Sequence, residues 1–248
     1  MMSNAPSIDN EAVARFSAQA AAWWDIEGPF RLLHRLNPLR VGYIRDRVCA
    51  TFNRNPVEQR PLHGLRLLDV GCGGGLLAEP LTLLGADVTG LDASQEVIAI
   101  AQRHAKASGL KIDYRLGDVE TLAKSKERFD VITALEIIEH VADRKSFLES
   151  LAHLLKPGGM LIFSTLNRTR ASFLFGIVAA EYLLAWMPPG THDWEKFLQP
   201  SELARLVAAQ SIDAMDITGM VFHPLTGRFS LSKSNLRINY FLTGIKKE

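Results

Sequence analysis

The stretch LLDVGCGGGLLAEPLTLLGADVTGLD, residues 67–92, constrains this chain more than any other. An apolar run ends in Gly71, Gly73, Gly74 and Gly75, and a second apolar run closes on a lone acid, Asp92. Glycines between a strand and a helix let the backbone turn sharply and let a ligand approach with no Cβ in the way. The pattern therefore opens a βαβ unit whose carboxyl edge holds a small molecule.

Beyond it, the periodicity predicts strands over 66–70, 87–91, 112–116, 129–135 and 160–165, and helices over 76–84, 95–108 and 145–155. Such alternation gives a parallel sheet with helices on both faces, an α/β fold. Lys156-Pro157-Gly158-Gly159 reads as the turn that stops a helix. A helix over 200–210 and strands over 214–221 and 237–242 follow, the last two suited to antiparallel pairing at the sheet edge. Before the alternation, Val13, Phe16, Ala20 and Trp23 recur at helical spacing within 9–24, with Asp9 or Asn10 available as the N-cap. A second helix runs through Arg47. The chain thus divides into a helical extension, 1–60, that contributes to the site, and a main domain, 61–248, with an apolar insertion at 168–199.

Lys+Arg 28 against Asp+Glu 27 leaves a net charge of +1, so no global field draws the chain to nucleic acid. Cys49 and Cys72 show neither metal-ligand spacing nor a disulfide framework, which fits a reducing cytoplasm. The N-terminus, MMSNAPSIDNEAV, lacks the basic and apolar segments of a secretory signal.

A dinucleotide site wants G-x-G-x-x-G beneath a pyrophosphate, but here the third glycine comes one place early. LLDVGCGGG instead resembles the first motif of the class I S-adenosylmethionine-dependent methyltransferases, a Rossmann-like α/β fold. That cofactor carries a sulfonium and an amino acid, and needs carboxylates more than anion-binding amides. Asp92 suits the ribose hydroxyls. Asp69 suits the amino group, or else stiffens the loop that contains Gly71 and Gly73. Asp118, in LGDVE, suits the adenine amino group or a plain turn. An NAD-dependent oxidoreductase is the competing reading, set apart by the missing last glycine. A non-catalytic lipid-binding scaffold is another.

Three further stretches match one family in order: WWDIEGPFRLLHRLNPLRVGYI, ALEIIEHVADRKSFL, and FSTLNRT followed by GTHDWEKFLQPSEL. From Phe16 to Tyr240 the chain resembles the bacterial ubiquinone biosynthesis O-methyltransferases. The resemblance implies a seven-stranded, mainly parallel sheet with one antiparallel strand. It also implies two O-methylations of polyprenylated phenols or catechols, and cofactor contacts at Arg40, Gly71, Asp92 and Leu135. A guanidinium such as Arg40 matches the methionine carboxylate bidentately.

A phenol with a pKa of about 10 needs a general base or a metal ion to become a nucleophile at neutral pH. Glu136, Glu139 and His140 follow the fourth strand, where they suit a divalent cation such as magnesium, manganese or zinc. Equally, the two acids suit the start of a helix. His192 is a second candidate base. In the apolar stretch ASFLFGIVAAEYLLAWMPP, the run from Ala171 to Trp186 is too short to span a bilayer and carries Glu181. With Arg168 and Arg170 it suits the surface of an anionic membrane, which implies peripheral association; the resemblance also implies other ubiquinone-synthesis proteins as partners. A lid or a dimer surface fits the same stretch.

Overall fold

The computed structural model describes residues 10–173 and 194–248. Eight strands form one sheet: β1 (Arg66–Val70), β2 (Asp87–Asp92), β3 (Asp113–Leu116), β4 (Phe129–Leu135), β5 (Leu155–Leu166), β6 (Ile212–His223), β7 (Arg228–Ser232) and β8 (Asn239–Lys246). Their order is β3-β2-β1-β4-β5-β8-β6-β7. The first five run parallel, and β8 is antiparallel to both β5 and β6.

Period-two alternation sends neighbouring apolar residues to opposite faces of the sheet. Leu67, Val131, Ile162 and Phe241 face one core, and Leu68, Ile132, Leu161 and Leu242 face the other. The first core is covered by α2 (Arg31–Thr51), α3 (Ala78–Leu83) and α4 (Gln95–Ala107), through residues such as Ile44, Val48, Leu81 and Ile98. The second is covered by α6 (Arg144–Leu154) and α7 (Pro200–Ala208), through Phe147, Leu151, Leu203 and Val207. A short α5 (Val119–Leu122) follows β3, and α1 (Asn10–Ala18) lies ahead of them all.

Four expectations change. The sheet has eight strands, because Arg228–Ser232 adds an edge hairpin to β6; its short, polar RFSLS pattern carries little strand signal. The antiparallel β8 therefore lies inside the sheet, and the edge falls to β7. Lys156–Gly159 is no simple turn: Leu155 already pairs with Phe129, and the register shifts before Val131 meets Met160. Lys156 Nζ lies 2.8 Å from Asp130 Oδ1, which pins this irregular stretch to β4. Finally, the helix expected over 9–24 breaks after Ala18 into a 3-10 turn at Ala20–Ala22, and so delivers Trp23 to a buried position.

Pro38 sits inside the 21-residue α2. The helix is held by packing: Tyr43 stacks on Phe241 with centroids 4.1 Å apart and planes at 11°. Phe241 is fully buried in the middle of β8. Phe241→Ala should therefore cost about 3–5 kcal/mol of unfolding free energy in urea titrations; a loss below about 1 kcal/mol would show that α2 does not depend on this contact.

Candidate functional site

A cavity of about 200 Å3 opens where the chain leaves the carboxyl ends of β1, β2 and β4. Its wall gathers Asp69, Gly71, Gly73 and Asp92 with Asp118, Leu135, Glu136 and His140, and Arg40 joins them from α2. Phe16 and Trp23 complete it from the N-terminal segment. Seven expected cofactor contacts thus line one space.

The glycine loop is tied to the end of β2. Gly71 N donates to Leu91 O at 2.8 Å, and Gly73 N donates to Asp92 Oδ2 at 2.9 Å. Gly71 has φ +69°, and a Cβ there would meet Ile137 Cδ1 at 2.9 Å, so any other residue would be strained and would push Ile137 aside. Ser94 N donates to Asp92 Oδ1 at 2.9 Å. Each Asp92 oxygen therefore takes one backbone donor and retains lone-pair capacity for another. Burial raises its pKa against these backbone bonds.

Asp69 is 3% exposed. Its Oδ1 accepts from Thr133 Oγ1 at 2.7 Å, while Oδ2 is buried with no donor. Desolvation pushes its pKa up to about 7, helped by the charge of Asp92 and opposed by Thr133 and Arg40. Asp118 caps α5, its Oδ1 accepting from Thr121 N at 2.6 Å, so turn formation and a place in the cavity wall coexist in one residue.

Glu136 leaves β4 with φ +53°, a left-handed conformation that strains a residue with a Cβ. Its Oε1 holds three donors: Arg40 Nη2 at 2.9 Å, Ser164 Oγ at 2.7 Å and Asn239 Nδ2 at 2.9 Å. Glu139 is 2% exposed; Thr165 Oγ1 donates to its Oε2 at 2.9 Å, and Oε1 has no donor. Burial, then the charge of Glu136, lifts its pKa above the usual carboxylate range. His140 reaches the cavity with its ring edge-on to Phe16, centroids 6.0 Å apart.

The cation set expected from Glu136, Glu139 and His140 does not assemble as placed. Among the described residues no group of three or more His, Cys, Asp or Glu is arranged to hold a metal ion. The physical reason is that Glu136 Oε1 is already taken by Arg40, Ser164 and Asn239, and Glu139 Oε2 by Thr165. Arg168, expected beside lipid head groups, pairs instead with Glu202 and donates to Phe197 O at 3.3 Å. His192 and most of the apolar stretch lie outside the described residues. Ser164, Thr165 and Asn239 escaped the sequence reading, since nothing in FSTLN or INYF distinguishes them from core and strand-end residues.

Known proteins fall into line with this geometry. A methyltransferase domain family model matches residues 68–163. Over 238 residues the chain is 50% identical to the ubiquinone biosynthesis O-methyltransferase of Methylobacterium sp. (strain 4-46), covering 96% of this chain and 95% of that one. The protein of the same name from a strain of Cereibacter sphaeroides is 48% identical over 245 residues, 99% of each chain. Among solved structures, magnesium protoporphyrin IX methyltransferase from Synechocystis PCC 6803 with bound SAH superposes with a TM-score of 0.66 at 19% identity, over 96% of this chain and 99% of that one. A possible histamine N-methyltransferase from Thermotoga maritima gives 0.61 at 19% identity, with the same coverage. These two show the fold.

An acid whose pKa is higher folded than unfolded stabilises the fold only while it keeps its proton. For Asp69 that stability is present below about pH 4 and lost as pH rises toward 7. Between pH 5 and pH 8 the wild type should lose on the order of 1–3 kcal/mol relative to Asp69→Asn in urea titrations. Parallel curves would mean that Asp69 stays ionised throughout.

Proposed function

The chain belongs to the ubiquinone biosynthesis O-methyltransferase family, and we propose that it methylates phenolic oxygens of polyprenylated phenols and catechols at both O-methylation steps of that synthesis. The observation that carries this reading is the single cavity joining Arg40, Asp69, the glycine loop, Asp92 and Leu135. Neither a hydride-transfer enzyme nor a non-catalytic scaffold gains support from the relatives.

Bound S-adenosylmethionine supplies an electrophilic methyl group on a sulfonium. The residues present suit it: Asp69 Oδ2 lacks a donor that an amino group provides, and Arg40 Nε lacks an acceptor that a carboxylate provides. Asp92 offers its remaining lone pairs to two ribose hydroxyls, and Leu135 packs on the apolar edge. Gly71 and Gly73 bring bare backbone to the wall, with Ile137 and Trp23 packed where their Cβ atoms would stand. Asp118 stands at the adenine end.

In-line transfer needs alignment and a deprotonated oxygen. Among the described residues His140 brings an imidazole to the cavity wall, a group able to act as general base toward the phenol. Glu136, gripped by Arg40, Ser164 and Asn239, fixes the floor on which the phenol rests. His192 is a second candidate for the proton, from beyond the described residues.

A divalent cation at Glu136, Glu139 and His140 is a further reading, favoured by the donorless Oε1 of Glu139. It requires Arg40 to release Glu136, so no step is assigned to it. Chelation followed by single-metal add-back decides it: activity restored by one metal establishes the ion, and undiminished activity ends the idea.

A polyprenyl substrate partitions into lipid, which supports peripheral membrane association. No described helix is long and apolar enough to cross a membrane. Phe173 is 49% exposed and Arg170 is exposed beside it, at the start of the apolar stretch. Contacts with other ubiquinone-synthesis proteins and a cytoplasmic location belong to the same proposal.

With S-adenosylmethionine and a short-chain prenyl catechol, the protein should yield an O-methyl product identified by mass spectrometry and NMR. His140→Ala should lower kcat about 100-fold or more while leaving S-adenosylmethionine affinity within about twofold. Near-normal turnover would remove His140 from the chemistry. In flotation assays the protein should rise with anionic liposomes and be released by salt; absence from the lipid fraction, with and without substrate, would overturn the membrane reading.

A further inference from the structure

Two adjacent aromatics of the N-terminal segment lie on the glycine loop. Trp23 is 7% exposed, stacks on Phe30 with centroids 4.2 Å apart, and lies across Gly73 and Gly74 so closely that a Cβ at either would overlap its ring. Gly74 is not among the residues with positive φ, so Trp23, rather than backbone conformation, demands glycine there. The carbonyl of Trp23 is in turn held by His34 Nε2 of α2 at 2.9 Å.

Trp24 points the other way along the loop. Its Nε1 donates to Gly74 O at 3.0 Å, and its ring stacks on His104 of α4 with centroids 3.4 Å apart and planes at 5°. His104 Nδ1 lies 2.7 Å from Oε1 of Glu79, a buried residue of α3. Trp24 therefore joins the loop to α4 directly and, through His104, to α3, both of which follow the loop in the chain.

We propose that Trp24 is a positioning residue for the cofactor loop, holding residues 71–75 through the Gly74 carbonyl in the shape that receives ligand, with Trp23 as the surface the loop packs on. This rests on the reading that the loop holds S-adenosylmethionine. Without the bond, the loop populates other shapes, and apparent affinity falls by the fraction that remains competent. Ground state and transition state share the loop, so the loss is uniform: KM rises and kcat stays.

The test is Trp24→Phe, which keeps a ring for His104 and removes the N–H. Calorimetry should show S-adenosylhomocysteine binding threefold to tenfold weaker, the range one hydrogen bond supports. The KM for S-adenosylmethionine should rise by the same factor with kcat within about twofold. Unchanged Kd and KM, whatever happens to the melting temperature, would overturn the proposal and leave Trp24 a purely structural residue. Gly74→Ala provides an independent arm: it should weaken S-adenosylhomocysteine binding more when Trp23 is present than in a Trp23→Ala background. Additive effects would refute the packing role of Trp23. If the wild type binds neither ligand, the functional reading fails instead, and the two failures are told apart.

Discussion

Strand β1 has β2 on one side and β4 on the other, so the segments leaving their carboxyl ends part, and the cavity lies in the gap. Every other feature of the site depends on that divergence. The loop after β1 can turn toward Asp92 only because β2 ends beside it. Glu136 can turn toward Arg40 only because β4 ends on the opposite side. Parallel pairing from Leu67 with Val88 and Val131 onward keeps these three ends level.

Within that gap the charges are unevenly matched. Asp69 and Glu136 line it, Glu139 is buried just outside its wall, and Arg40 is a buried cation paired with Glu136. Burying unpaired carboxylates is costly, and the structure meets the cost by raising the proton affinity of Asp69 and Glu139. A cationic ligand group is a natural replacement for such protons. The buried, donorless Oδ2 of Asp69 thus suits a positively charged group of a cofactor.

Much of this was legible in the residues. The glycine spacing, Asp92 and the alternation of strand and helix gave the βαβ core, because period-two and period-3.6 patterns are local and strong there. Arg40 and Leu135 were expected at the site through family resemblance, and Glu136 from its place after the fourth strand; no local signal marks an arginine in a long helix as facing a strand end. What stayed hidden was tertiary. Asn239 meets Glu136 across 103 positions, and β7 forms because β6 offers it an edge. The irregularity at Lys156–Gly159 also escaped, since proline and glycine read as a stop whether the chain turns away or simply slips register. The Glu136–Glu139–His140 motif looked like a ligand set in one dimension, yet its first acid is taken by an arginine from another element.

The docking of Trp24 bears on how the chain is made. Its hydrogen-bond partner lies 50 positions downstream and its stacking partner, on α4, later still. During synthesis at about 5–20 residues per second, Trp24 waits several seconds for the surface that shelters it. Trp24, made before the loop and α4, is therefore seated only after both exist.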